Sequence, residues 1–149
     1  MIAEIAIMAW LEKKEEERKR IYDGTHVTDL GGDYLHAILT LQKESGMVCS
    51  ADLAQHMDFG KPSIDSAASI LQDGGFLIVD ENGFIHLTDI GRTIAEKIYE
   101  RRQFFTEQLI AAGVDQKTAE QDACRIEHAI SDKSFQKLRD KYLKKQSNT

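Results

Sequence analysis

The chain has few of the residues that mark secreted or membrane proteins: among 149 residues there are two cysteines, one proline and one tryptophan. Cys49 and Cys124 are too sparse for a disulfide framework and lack the Cys-x-x-Cys spacing of a zinc ribbon, so reduced thiols in a reducing compartment are expected. No apolar run approaches the roughly 20 residues that span a bilayer. The apolar stretch Ile5 to Leu11 runs into the charged segment Lys13 to Arg20 without the small-residue cleavage site of a signal peptide, so a cytoplasmic protein with no membrane partner is expected. Positive charge is short as well: 19 Lys and Arg stand against 25 Asp and Glu, a formal charge of −6. This argues against nucleic-acid binding by bulk electrostatics and leaves open a local basic patch on a dimer. What is present, 42% hydrophobic and 30% charged residues, suits one compact domain or two small ones sharing a core.

Hydrophobic spacing divides the chain. Residues 3 to 21 read as a helix, with Ile5, Met8, Ala9 and Leu11 on one side; it is either a solvated extension or a segment that docks Ile5, Met8, Trp10 and Leu11 on another subunit. Gly24 and then Gly31-Gly32 read as loops, and a helix is expected from Asp33 as N-cap to Gly46. Two short helices follow, about Ser50 to Met57 with Ser50 as cap, and Pro62 to Gln72 with proline in the first turn. Their spacing is that of a helix-turn-helix. Phe76 to Val79, a turn at Asp80-Glu81-Asn82-Gly83, and Phe84 to Leu87 read as a hairpin, which completes the winged-helix order. A long helix from Thr88 carries Ile90, Ile94, Ile98, Phe105 and Leu109 and stops at Gly113; another opens at Asp115, and Ser131 caps a last one. These helices are too few to form an independent globule, so pairing with a second copy is expected. The expected fold is mainly α: an N-terminal helical extension (1–32), a winged helix-turn-helix with a small β-hairpin wing (33–90), and an all-helical dimerisation and metal-binding domain (91–149).

The chemistry concentrates on the helix after Asp115. Glu120, Cys124, Glu127 and His128 fall at i, i+4, i+7 and i+8, on one helical face. A thiolate, an imidazole and carboxylates together form a ligand set for a divalent transition metal. The bland alternative is a solvated face with a small buried cysteine. Asp33 and His36, at i and i+3, make a second polar pair on an earlier helix.

The run Asp122-Ala123-Cys124-Arg125-Ile126-Glu127-His128-Ala129-Ile130-Ser131-Asp132 resembles the sensing helix of the iron- and manganese-responsive repressors of the diphtheria-toxin-repressor type. Asp33-Tyr34-Leu35, Lys61-Pro62-Ser63, Leu87-Thr88 before Gly91, and Gly113-Val114-Asp115 resemble the same family, so the likeness covers about residues 33 to 143. It implies a short two-part member without the SH3-like domain of longer relatives. By position it implies Asp33, Cys124, Glu127 and His128 as metal ligands, with His36 and Glu120 as extras, and manganese or iron(II) as the metal. One position departs. The family's long helix carries an Arg-His pair whose histidine is a ligand, whereas this chain has Arg102 there, followed a turn later by Thr106 where some iron-type members have a glutamate. Arginine stays protonated and cannot ligate a metal. Either Arg102 points away and a single site is completed by Glu120 or His36, or its guanidinium sits among Asp33, Glu120 and Glu127 as a built-in cation.

For DNA, the recognition helix would present Lys61, Pro62, Ser63, Asp65 and Ser66, with its N-terminal amides toward phosphate. Asp65 and the acidic wing tip Asp80-Glu81 weaken that reading, and Lys43, Arg92 and Lys97 are the other flanking cations. The expected function is a metal-dependent repressor of metal-homeostasis genes that binds double-stranded DNA as a homodimer on a palindromic operator. The competing reading is a divergent winged-helix dimer that acts without metal or as a protein-interaction module. An enzyme built on Cys124 and His128 is not expected, since no oxyanion donors or substrate groove are evident. His26, His56 and His86 have no spaced partners and read as surface or loop residues.

Overall fold

The structure is a computed structural model that describes residues 26–147, with side chains placed from residue 31. The expectations for residues 3 to 21 and for the side chain of His26 lie outside the described residues. In chain order the elements are α1 (His26–Ser45), α2 (Ser50–Met57), α3 (Lys61–Asp73), β1 (Leu77–Val79), β2 (Ile85–Leu87), α4 (Asp89–Ala111), α5 (Gln116–Ala129) and α6 (Asp132–Ser147). The described residues divide into two compact units, with the boundary inside α4 between Glu96 and Lys97.

The first unit is a winged helix-turn-helix, in the order that the hydrophobic spacing predicts. Tyr34, Leu35, Ile38, Leu53, Ile64, Leu71, Phe76, Leu77 and Ile85 are all at most 2% exposed and form its interior. The turn between α2 and α3 closes through Asp58, whose left-handed φ of 55° suits a short polar side chain. The wing is a two-stranded antiparallel hairpin in the register Leu77↔Leu87, Ile78↔His86 and Val79↔Ile85. Leu77 and Ile85 face inward while Ile78 and His86 face outward, the alternation of a half-buried ribbon. A third stretch of chain borders it, because the Ile85 amide donates to the Val48 carbonyl at 2.7 Å. Gly83, with φ of 85°, closes the wing turn in a region that L side chains rarely enter.

The start of α4 is tightly specified. The Thr88 hydroxyl donates to the Gly75 carbonyl at 2.7 Å and accepts the Gly91 amide at 3.1 Å, so one side chain caps the helix and ties it to the strand entry. A Cβ on Gly91 would lie 1.8 Å from the Phe76 carbonyl oxygen, so only glycine fits.

Two boundaries differ from the expectation. α1 begins at His26, not Asp33: Gly31 and Gly32 are helical and buried, and Asp33 lies inside the helix rather than capping it. Glycine costs a helix about 1 kcal/mol relative to alanine, and both glycines are nevertheless helical and buried. The cap of α2 is Cys49, one residue before Ser50, and its amide donates to the Asp52 carboxylate at 3.0 Å.

The second unit has a small aromatic core of Phe105, Ala123 and Phe135, against which Phe104, Ile126 and Ile130 pack. Phe104 meets Phe105, Phe135 and Tyr142 edge-on at centroid distances of 5.2, 5.7 and 5.5 Å. Of the apolar residues expected along α4, Ile98 and Phe105 are buried but Ile90 is 41% exposed. Asp115 caps α5 by accepting the Thr118 amide, and Ser131 caps α6 by accepting the Ser134 amide, both as their sequence positions predict.

Candidate functional site

α5 is amphipathic in an unusual way. Its inward stripe is Ala119, Ala123 and Glu127, two small residues followed by a charge. The same face carries the Glu127 carboxylate into the interior. A buried carboxylate without a partner is strongly disfavoured. Arg102 of α4 supplies one: its Nε and a terminal guanidinium nitrogen lie 3.2 and 3.1 Å from Glu127 Oε1, and the two side chains are 12% and 9% exposed. The pair is charge-assisted and largely desolvated.

On the adjoining face, Cys124 and His128 stand one turn apart and half-buried, with Sγ and Nε2 separated by 3.5 Å. With metal–sulfur and metal–nitrogen bonds of zinc-site length at a tetrahedral angle, two such donors on one ion would sit roughly 3.6 Å apart. The spacing therefore fits two donors to one metal. The other ring nitrogen, Nδ1, lies 3.7 Å from Glu127 Oε1. That is an ion-pair distance for a protonated ring and too long for a hydrogen bond, so the carboxylate lies behind the imidazole as a nearby negative charge.

The remaining expected site residues are placed as follows. Glu120 is exposed and its carboxylate accepts from the Gln116 side chain at 3.1 Å. Thr106 is half-buried on α4. Asp33 and His36 are half-buried on α1, in the first unit. In the second unit the structure thus brings together Cys124, His128, Glu127 and Arg102, and it leaves Glu120 in a surface pair.

In the first unit, α3 turns Ile64, Ala67, Ala68 and Leu71 inward and leaves Lys61, Pro62, Ser63, Asp65, Ser66 and Ser69 exposed. The expected use of its N-terminal amides is reduced, because the Ser63 and Ile64 amides both donate to the Gly60 carbonyl. Asp65 also acts inward: with burial as the main cause and its charge as the second, the Tyr34 hydroxyl is pushed up to about 12.

Two further groups escaped the sequence reading. His86 is not a plain surface residue: its Nε2 lies 2.8 Å from Asp80 Oδ2 across the wing turn. The same Asp80 carboxylate accepts the Phe84 and Asn82 amides, and the imidazole and these amides hold it below the usual carboxylate range. The acidic wing tip is therefore partly a turn-closing device. Arg101, 8% exposed, pairs with Asp132 at 2.5 Å and lies over the Phe135 ring, and Arg139 pairs with Glu100. These partners are 31 and 39 residues apart and leave no local signal. The Asp80–His86 spacing across a predicted hairpin was visible in principle, since an antiparallel ribbon brings such positions together.

Residues 88–147 match the family described as "Iron dependent repressor, metal binding and dimerisation domain". The chain is similar to an uncharacterized HTH-type transcriptional regulator of Methanocaldococcus jannaschii, 29% identical over 109 residues that cover 72% of this chain and 87% of the relative. It is 26% identical to the diphtheria toxin repressor of Corynebacterium diphtheriae over 107 residues, 70% of this chain and 47% of that protein. Among solved structures it is similar in fold to the manganese regulator SloR, with a TM-score of 0.67 and 22% identity over 76% of this chain and 53% of the other. The chain thus spans about half the length of the last two. No described helix is long and apolar enough to cross a membrane.

Proposed function

Because the chain is related to the iron- and manganese-responsive transcriptional regulators of the diphtheria-toxin-repressor type, we propose that it is a metal-responsive DNA-binding repressor. It acts as a homodimer on a palindromic operator and controls metal-homeostasis genes. The observation that carries this reading is the Cys124–His128 pair, with its 3.5 Å donor spacing, inside the segment that matches the metal-binding and dimerisation family. A bound divalent ion, manganese or iron(II) by family likeness, would supply a link whose occupancy follows metal availability.

The chain's own residues divide the work. Cys124 and His128 hold the metal, and the family likeness assigns Asp33 to it as a further ligand, with His36 available beside it. Glu127 backs His128, and Arg102 neutralises Glu127. On α3, Lys61 and Ser63 meet phosphate while Ser66 reaches a base edge, and Asp65 keeps affinity modest through its charge. No residue acts as a catalyst in this reading.

The test has two parts. Selection from random duplexes at stated salt, with and without manganese(II) and iron(II), should enrich a palindrome more strongly with metal. Thermal stability should rise with at least one divalent metal. Failure to enrich any palindrome would remove DNA reading, and no metal-induced shift would remove sensing.

A second reading has one observation in its favour. The Arg102–Glu127 pair gives the second unit a permanent cation at the position where the family resemblance implies a histidine ligand, which suits a divergent dimer that acts without metal or as a protein-interaction module. A palindrome enriched equally with and without metal would favour the first form of it.

A further inference from the structure

Cys124, Glu127 and His128 lie within five residues of one helix, yet their surroundings treat them differently. Glu127 is the one that is buried, and Oε1 faces the Arg102 guanidinium through two nitrogens at 3.2 and 3.1 Å. The same oxygen is the one nearest His128 Nδ1. A metal at Oε1 would therefore sit beside a fixed positive charge that no accessible pH removes. Cys124 and His128 instead face each other at a spacing that two donors to one ion adopt.

We propose that Arg102 is the specificity-determining residue of this centre: by holding Glu127 as its counter-ion it withholds that carboxylate from the metal and leaves the thiolate–imidazole pair to select a borderline-soft divalent ion over manganese(II). This rests on the metal-sensing reading above and sharpens it. A hard ion such as manganese depends on carboxylate oxygens, whereas cobalt(II), zinc(II) and iron(II) accept sulfur and nitrogen. Removing one carboxylate from the donor set therefore penalises manganese more than the others. Glu127 remains behind the site as a negative charge near the His128 ring. Arg102 acts through Glu127 and is a positioning residue that never touches the metal.

The measurement is the ratio of cobalt(II) to manganese(II) affinity for the full chain. It is read from the near-ultraviolet thiolate-to-cobalt band and from the electron paramagnetic signal of unbound manganese. Three proteins are compared: the natural chain, Arg102→Gln, and the double variant Arg102→Gln/Glu127→Gln, which leaves no buried charge unbalanced and so protects the fold. The natural chain should bind cobalt with a thiolate band and prefer it to manganese by at least tenfold. Arg102→Gln should free Glu127, raise manganese affinity tenfold or more and narrow the ratio. The double variant should lose that gain. A ratio that stays the same in Arg102→Gln, or a manganese gain that survives in the double variant, would overturn the inference while leaving metal binding intact. Absence of binding by any metal to the natural chain would instead overturn the sensing reading, and this inference with it.

Discussion

The two units of the chain are stabilised by different means. In the first, the interior consists of apolar side chains, and its polar ties, Thr88 to Gly75 and Asp80 to His86, sit at turns and caps. In the second, the buried apolar residues among those described are Ile98, Phe105, Ala119, Ala123 and Phe135, and both buried charged residues among the described ones, Arg101 and Glu127, belong to it. A unit with so small a core cannot rely on hydrophobic burial alone. It uses ion pairs and edge-on aromatic contacts between helices. The lesson is that ions should affect the second unit strongly and the first hardly at all.

The largest effect should come from breaking one side of the buried pair. Arg102→Ala leaves Glu127 charged and alone, and should cost about 3–5 kcal/mol. Hydrogen exchange should speed up in residues 97–147 and stay unchanged in α2 and α3; equal loss of protection in both units would erase the contrast. An apolar deletion in the first unit, Leu53→Ala, should cost about 2–4 kcal/mol with no dependence on salt, since no charge is uncovered. A salt-dependent loss in urea titrations would contradict that. Ser131→Ala removes the cap of α6 and should cost about 1 kcal/mol, seen as faster exchange in the first turn of that helix.

A smaller effect, of the opposite sign, belongs to the first unit. The buried Tyr34 hydroxyl has no hydrogen-bond partner among the described residues, so Tyr34→Phe should be neutral or stabilising by up to about 1 kcal/mol. It also has a pH signature. With the folded value pushed up to about 12 against an ordinary 10.0, the folded state holds the proton longer, so this contribution is full below pH 10 and is lost as pH rises toward 12. Tyr34→Phe should flatten that alkaline decline. At the acid end, the Cys49 amide and thiol hold Asp52 below the ordinary carboxylate range. Its contribution is present above about pH 4 and lost as pH falls through the lower folded value. Asp52→Asn should lower stability by a near-constant small amount between pH 5 and 8 and shallow the decline below pH 4.

Most elements of the fold were legible because their signals are local. Pro62 at the head of α3, Asp115 and Ser131 at helix starts, and the Asp80 to Gly83 turn act within four residues of themselves. The start of α1 was not, because Gly31 and Gly32 read as loop breakers on their own, yet both lie buried inside the helix. In the candidate site, the helical period already placed Cys124 beside His128. It also grouped Glu120 and Glu127 with them, and only packing separated the two carboxylates, sending one to Gln116 on the surface and the other to Arg102 in the interior.

The sequence by itself determined the order of helices and hairpin, the caps that bound them, and the donor types on α5, since each depends on spacings of a few residues. Tertiary structure alone decided that Arg102 faces Glu127, that Arg101 reaches Asp132 and that His86 clasps Asp80. Whether a charge is solvated, paired or available to a metal depends on which neighbours exclude water from it, and the partners in the Arg102–Glu127 and Arg101–Asp132 pairs are 25 and 31 residues apart along the chain.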